Sequence, residues 1–147
     1  MDRTDSFRAD CARIHRQWHE CAKAGDAAGL LALYAEDAEL ESPLVPVVLD
    51  DAEGGVVRGR EAIRRFLAAG ARRLTRSLTR WHRSDAWMTD GARLLVWEYP
   101  HAAPDGPQVD IVEVMEIADG LIQRHRIYWG WYGTGLLRRQ VQGEPCL

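Results

Sequence analysis

Val109-Asp-Ile-Val-Glu-Val-Met-Glu-Ile-Ala-Asp-Gly-Leu-Ile-Gln-Arg-His-Arg-Ile-Tyr-Trp129 consists of two runs rich in β-branched and aromatic residues on either side of Asp119-Gly120. Gly120 readily takes the positive φ that a tight turn demands, so the stretch reads as a β-hairpin. Its strands carry Glu113 and His125 inside otherwise apolar runs, and a carboxylate beside an imidazole in such a setting points to proton chemistry. Two registers are open. A three-residue loop pairing Ile117 with Leu121 sets Glu113 opposite His125, whereas a two-residue loop sets it opposite Arg126. A slip of one residue moves every side chain to the other face, and the residues alone do not choose.

Outward from the hairpin, Arg93 to Tyr99 and Trp81 to Met88 read as further strands, separated by the turns Thr89-Asp90-Gly91 and Pro104-Asp105-Gly106. Upstream lie helices. Phe7, Cys11, Ile14, Trp18 and Cys21 with Ala22 recur at helical spacing on a segment that stops near Ala24-Gly25. Asp26 caps a second helix through Leu30, Leu31 and Tyr34, and Ala38 to Glu41 is a short strand closed by Ser42-Pro43. The stretch Pro43 to Gly55 reads as a long loop placed to cover a site, Val56 to Arg58 as a strand, and Gly59 to Gly70 as a third helix with Ile63, Phe66 and Leu67 inward. Helices followed by an antiparallel meander predict an α+β domain, with the helices on one face of a curved sheet.

A chain of 147 residues, 46% hydrophobic, suits one domain with one core, residues 1–147. The net charge of −3, with both signs interspersed, offers no concentrated basic face, so nucleic acid is not an expected partner. No uncharged run approaches membrane-spanning length, and the charged N-terminus lacks the apolar core of a signal peptide, so the expected location is cytoplasmic, away from membranes. Cys11 and Cys21 on one helix stand about 15 Å apart, too far for a disulfide, and with Cys146 they read as reduced thiols. Lys23 is the only lysine and asparagine is absent, a bias expected of a GC-rich bacterial genome. Apolar residues occupy both parities of the Val109 strand (Ile111, Met115 and Ile117 against Val112 and Val114), which predicts a homodimer through the second sheet face.

Three segments resemble the nuclear-transport-factor-2-like superfamily, in particular its SnoaL-like and ketosteroid isomerase-like members: Gly25-Asp26 through Tyr34-Ala-Glu-Asp-Ala-Glu-Leu-Glu-Ser-Pro43, Gly59-Arg-Glu-Ala-Ile63 with Phe66, and Val109 through Asp119-Gly120 to Tyr128-Trp129. The resemblance implies a cone-shaped α+β barrel, with three N-terminal helices packed on a curved, mostly antiparallel sheet. It also implies that Trp18 stands where the isomerases keep an oxyanion-binding tyrosine, with an indole N–H in place of the hydroxyl. Ser42 stands where they keep the proton-shuttling aspartate, and a serine is no base near neutral pH. Glu113 falls on their second carboxyl, and His125 on an apolar lining position. By this alignment Glu113 and His125 share the concave side, with Ile127 and Trp129 continuing the row and Arg124, Arg126 and Tyr128 outward; the same parity carries Leu94, Val96 and Glu98 inward.

The resemblance implies a pocket protein for a small apolar molecule, needing no cofactor; the Glu113 and His125 pair adds the expectation of His125 as acid/base with Glu113 orienting it. Trp18, Ser42, Glu98, Ile127 and Trp129 would line the site. The implied chemistry is isomerisation, cyclisation, dehydration or epoxide opening; the alternative is a non-catalytic ligand-binding or dimeric accessory protein, in which Glu113 and His125 merely satisfy one another. His15 and His19, one turn apart without a third ligand, read as a solvated helix boundary, so no metal is expected. Arg72, Arg73, Arg76, Arg80 and Arg83 read as a solvated run balancing Asp50, Asp51 and Glu53.

Overall fold

In a computed structural model, which describes residues 2–74, 86–98 and 111–143, the chain runs α1 (Arg3–Ala24), α2 (Ala27–Leu31), β1 (Tyr34–Glu41), α3 (Val45–Val48), β2 (Val56–Arg58) and α4 (Arg60–Leu74). It continues β3 (Met88–Thr89), β4 (Leu94–Glu98), β5 (Ile111–Ala118), β6 (Leu121–Trp129) and α5 (Trp131–Val141). The six strands form one curled, unclosed sheet in the order β2-β1-β6-β5-β4-β3, antiparallel throughout except where β1 runs parallel to β6. The expected α+β architecture is therefore present, with α1, α2 and α4 on the concave face.

α1 ends at Gly25, and Asp26 caps α2 by accepting a hydrogen bond from the Gly29 amide at 2.8 Å. α2 is shorter than its apolar spacing predicts. Tyr34 is already the first residue of β1, paired with Ile122, because the Leu33 carbonyl is taken by the Ile122 amide and the chain has joined the sheet. The stretch 43–55 is not an open loop: Leu44, Val45, Val48 and Leu49 form or flank α3 and are buried in the core. The C-terminal strand ends at Trp129, where the hairpin stretch ends, and the chain turns into α5, where a side chain at Gly133 would overlap the Trp129 ring. The residues 81–85, 99–110 and 144–147 lie outside the described residues, and with them the start of the Trp81 strand, the Pro104 turn, Arg83 and Cys146. So do Arg76 and Arg80.

The hairpin itself adopts neither simple register. Asp119 (φ 52°) and Gly120 (φ 70°) make a two-residue turn with both φ positive, so Ala118 pairs with Leu121 and Ile117 with Ile122. Beyond that Glu116 pairs with Arg124, which leaves Gln123 as the extra residue of a β-bulge. The bulge matters for the site. Without it the two-residue turn would aim His125 at solvent; with it His125 faces inward opposite Met115, and Glu113, opposite Ile127, becomes its diagonal neighbour on the same face.

Deleting Gln123 is accordingly expected to regularise β6 without changing which residues face inward, at a cost of about 1 kcal/mol for the lost bond from its side-chain amide to the Ala118 carbonyl. Deleting Arg126, which no bulge absorbs, turns Ile127 and Trp129 outward and is expected to abolish cooperative folding. Paired thermal melts followed by near-ultraviolet circular dichroism distinguish the two.

Candidate active site

The site is assembled where α1 crosses the inward rows of the sheet. Met115, His125 and Leu40 lie in line across β5, β6 and β1, and Trp97, Glu113 and Ile127 lie in line across β4, β5 and β6. The diagonal between these rows is short enough for long side chains to bridge. His125 Nε2 is hydrogen-bonded to Glu113 Oε2, and the opposite ring nitrogen, Nδ1, lies 2.7 Å from the Tyr34 hydroxyl. A carboxylate oxygen only accepts, so Nε2 carries the hydrogen; Nδ1 accepts from the Tyr34 hydroxyl in the neutral ring and donates to it in the imidazolium. Glu113, His125 and Tyr34 form one continuous relay.

Water is excluded from all three: His125 is 0%, Tyr34 1% and Glu113 2% exposed. Trp18 meets the His125 ring edge to face at 5.2 Å and also packs against Tyr34 and Trp97, each at 6.3 Å. Desolvation strengthens every polar contact enclosed in this way and makes an unmatched one expensive.

Of the sequence-derived candidates, the structure brings together Glu113, His125 and Trp18, with Ile127 and Trp129 half-buried farther along the same inward row. Arg124, Arg126 and Tyr128 take the opposite face. Ser42 is buried, and its hydroxyl accepts the Leu44 amide at 3.2 Å, so it closes the turn after β1. Glu98 does not point inward. On β4 the buried residues are Leu95 and Trp97, while Glu98 is exposed and pairs with Val112 on the outer face. The pairing of Trp97 with Glu113 sets that parity, and the expectation for Leu94, Val96 and Glu98 is one residue out of step.

Tyr34 was hidden from sequence reasoning by its assignment to a helix. Its signal was present as an aromatic residue immediately before an alternating polar and apolar run. His15 and His19 correct a second expectation: they are 6% and 5% exposed, because the inward stripe of α1 is broad and runs Cys11, Ile14, His15, Trp18, His19. Among the described residues no group of three His, Cys, Asp or Glu side chains is placed to hold a metal. Asp51, assigned above to the basic run, is instead clasped by Arg65 at 2.8 and 2.9 Å. An open groove of about 590 Å³ between this segment and β2, lined by Leu49, Ala52, Val57 and Ala62, contains none of the relay residues.

Burial holds His19 below the ordinary histidine value of 6.5, and Lys23 adds to the effect; the bond to the His15 carbonyl and the Glu113 charge pull the other way without overcoming it. A depressed histidine binds fewer protons folded than unfolded. Its contribution to stability is complete above the unfolded value near 6.5 and is lost as pH falls from there through the folded value. Denaturation midpoints are expected to fall between pH 7 and 5, and to fall less steeply in His19→Phe. An unchanged slope in that variant contradicts the assignment.

A family model described as a SnoaL-like domain matches residues 15–125. The chain belongs to the SnoaL-like family. Its solved likenesses agree on the fold. A Bacillus subtilis protein provisionally named an isomerase superposes with a TM-score of 0.66 at 18% identity, over 97% of this chain and 96% of that one. A SnoaL-like protein of unknown function from Burkholderia thailandensis gives 0.63 at 20% identity, over 84% and 97%. A Kribbella flavida protein provisionally named a ketosteroid isomerase gives 0.54 at 17% identity, over 84% and 79%. No curated protein matches the chain. The SnoaL-like fold accommodates unrelated chemistries, so activity has to be argued from the site. No helix among the described residues is long and apolar enough to cross a membrane.

Proposed function

We propose that this SnoaL-like protein is a cofactor-independent enzyme that moves protons on a small, largely apolar metabolite, by isomerisation, cyclisation, dehydration or epoxide opening. The relay Glu113–His125–Tyr34 carries the reading, because it offers two interchangeable hydrogen-bond states. With His125 neutral, the Tyr34 hydrogen points at Nδ1 and the phenolic oxygen accepts from a ligand. With a proton on Nδ1, the imidazolium donates to that oxygen and frees the Tyr34 hydrogen for the ligand. His125 is the store of the proton, Glu113 orients the ring and stabilises its charged form, and Tyr34 is the point of contact. Trp18, Ile127 and Trp129 supply apolar walls, and the chemistry falls to the relay because Ser42 is engaged in its turn.

Native mass spectrometry of the chain after exposure to a bacterial small-molecule extract tests the pocket. A bound species in the wild type that is lost in Tyr34→Phe supports the reading; a chain that remains empty contradicts it.

One observation favours a second reading. The relay is sealed on all sides, as in a non-catalytic ligand-binding or accessory protein whose polar core groups satisfy only one another. Such a protein binds without converting.

We also propose that a second copy covers the outer sheet face, where Val96, Val112 and Val114 are half-buried, Tyr128 is 55% exposed and Met88 68% exposed, beside the ion pairs of Glu39 with Arg58 and Arg124 and of Glu116 with Arg126. Sedimentation velocity is expected to show a dimer in the wild type and a monomer in Val114→Arg; a monomeric wild type contradicts it.

A further inference from the structure

The relay is sealed, so a ligand that reaches Tyr34 needs a covering element that moves. β1 and β6 run parallel and end together, with Glu41 paired to Arg126. The helices that follow them, α3 and α5, meet beyond that end of the sheet. Their holds on the core differ. α3 buries Val45 and Val48, at 0% and 6% exposure, whereas among the described residues of α5 only Gly133 is buried. Trp131 is 94% and Val141 76% exposed, and Leu137 is half-buried against the core. α1, α2 and α4 carry core residues from Cys11 to Ala69 and do not lift without unfolding the domain.

Gly133 lies against the ring of Trp129, which continues the inward row of His125 and Ile127. From Trp129 back to His125 is four residues of strand, about 13 Å. α5 is weak by itself: Gly133 and Gly135 each lower helix stability about fivefold relative to alanine. A helix of 11 residues is in any case marginal in water without docking. Docking also leaves two donors, Trp129 Nε1 and Arg139 Nε, buried without an acceptor among the described residues. Water satisfies both when α5 lifts.

We propose that α5 is the gate of this site. It swings about Gly130, the single residue between β6 and α5, and on lifting it uncovers Trp129 and Ile127 as the way for a small apolar ligand to Tyr34. α3 stays in place as the fixed side of the opening, held by Val45 and Val48. The proposal rests on the pocket reading above and adds its route of entry.

The two glycines separate a gate from a frayed chain end. A side chain at Gly135 meets nothing within 4 Å, so Gly135→Ala strengthens the helix and touches no docking surface, whereas Gly133→Ala pushes the helix off the Trp129 ring. In hydrogen exchange the α5 amides of the wild type are expected to open about a hundredfold more often than those of β5 and β6. Gly135→Ala slows them about fivefold, and Gly133→Ala speeds them. Entry and exit of 4-fluorotoluene, followed on the whole chain by fluorine-19 exchange spectroscopy, are expected to change in the same sense in both variants. In Gly135→Ala both rates fall by the same factor and Kd is unchanged, since a gate retards both directions alike. Probe rates that ignore both substitutions overturn the gate while the pocket reading stands, and so does an α5 as protected as β5. Failure of the wild type to bind 4-fluorotoluene overturns the pocket reading and the gate together.

Discussion

Alanine at position 125 is expected to destabilise the chain by about 3–5 kcal/mol, a fall in melting temperature on the order of 10 °C. The magnitude follows from what is left behind. Glu113 is 2% exposed and is hydrogen-bonded to His125 Nε2, with Trp97 and Ile127 beside it; without the imidazole its carboxylate keeps the desolvation and loses the partner. Tyr34 loses its acceptor at the same time. The paired replacement Glu113→Leu with His125→Leu removes the charge as well as the partner and is expected to cost markedly less than the two single changes added. Chemical denaturation of the four proteins measures the difference. Additive single changes contradict the description of one coupled relay.

The second large effect is at Trp97. It is 1% exposed and touches His15, His19 and Trp18, so it is the partition between the relay and the imidazole pair on α1. Truncation to alanine removes a large buried ring that α1 cannot collapse to fill, at an expected cost of about 3–5 kcal/mol. Trp97→Phe retains most of the contact and is expected to cost less than half as much. A loss under about 1 kcal/mol for the alanine variant, read from urea denaturation, contradicts the packing described here.

The hairpin is the part of this fold most legible in the sequence. Alternation in Ile111–Ala118 and the Asp119-Gly120 turn are local signals, and local signals survive translation into structure. The bulge at Gln123 is not local. It arises because the tight turn fixes one parity while the core demands another from Ile127 and Trp129, and neither residue type nor spacing announces that conflict. Alignment to the isomerase-like pattern found the right face for β6 because it carries the conflict already resolved. It misplaced Glu98 because β4 joins β5 through a connection too long for parity to be counted across. His15 and His19, one turn apart without a third ligand, predict a solvated helix boundary, yet the contact among two imidazoles and Trp97 buries them. Tyr34 went unread because a helical spacing continues through it, and only the pairing with Ile122 shows that the helix has ended.

These positions separate what holds the fold from what gives it chemistry. Leu40, Leu95, Met115 and Ile122 are buried apolar residues around the relay, and any well-packed set would serve. A Glu–His–Tyr chain in the same interior is costly to satisfy, which is the physical reason to assign it a task. The measurement that tests this most directly is the conversion of a bacterial metabolite extract, followed by mass spectrometry, with wild type, His125→Gln and Tyr34→Phe compared at matched folded concentration. The relay predicts at least one compound consumed by the wild type and left intact by both variants, with a product of equal mass or differing by one water. Conversion that persists in His125→Gln, or no conversion by the wild type, contradicts it.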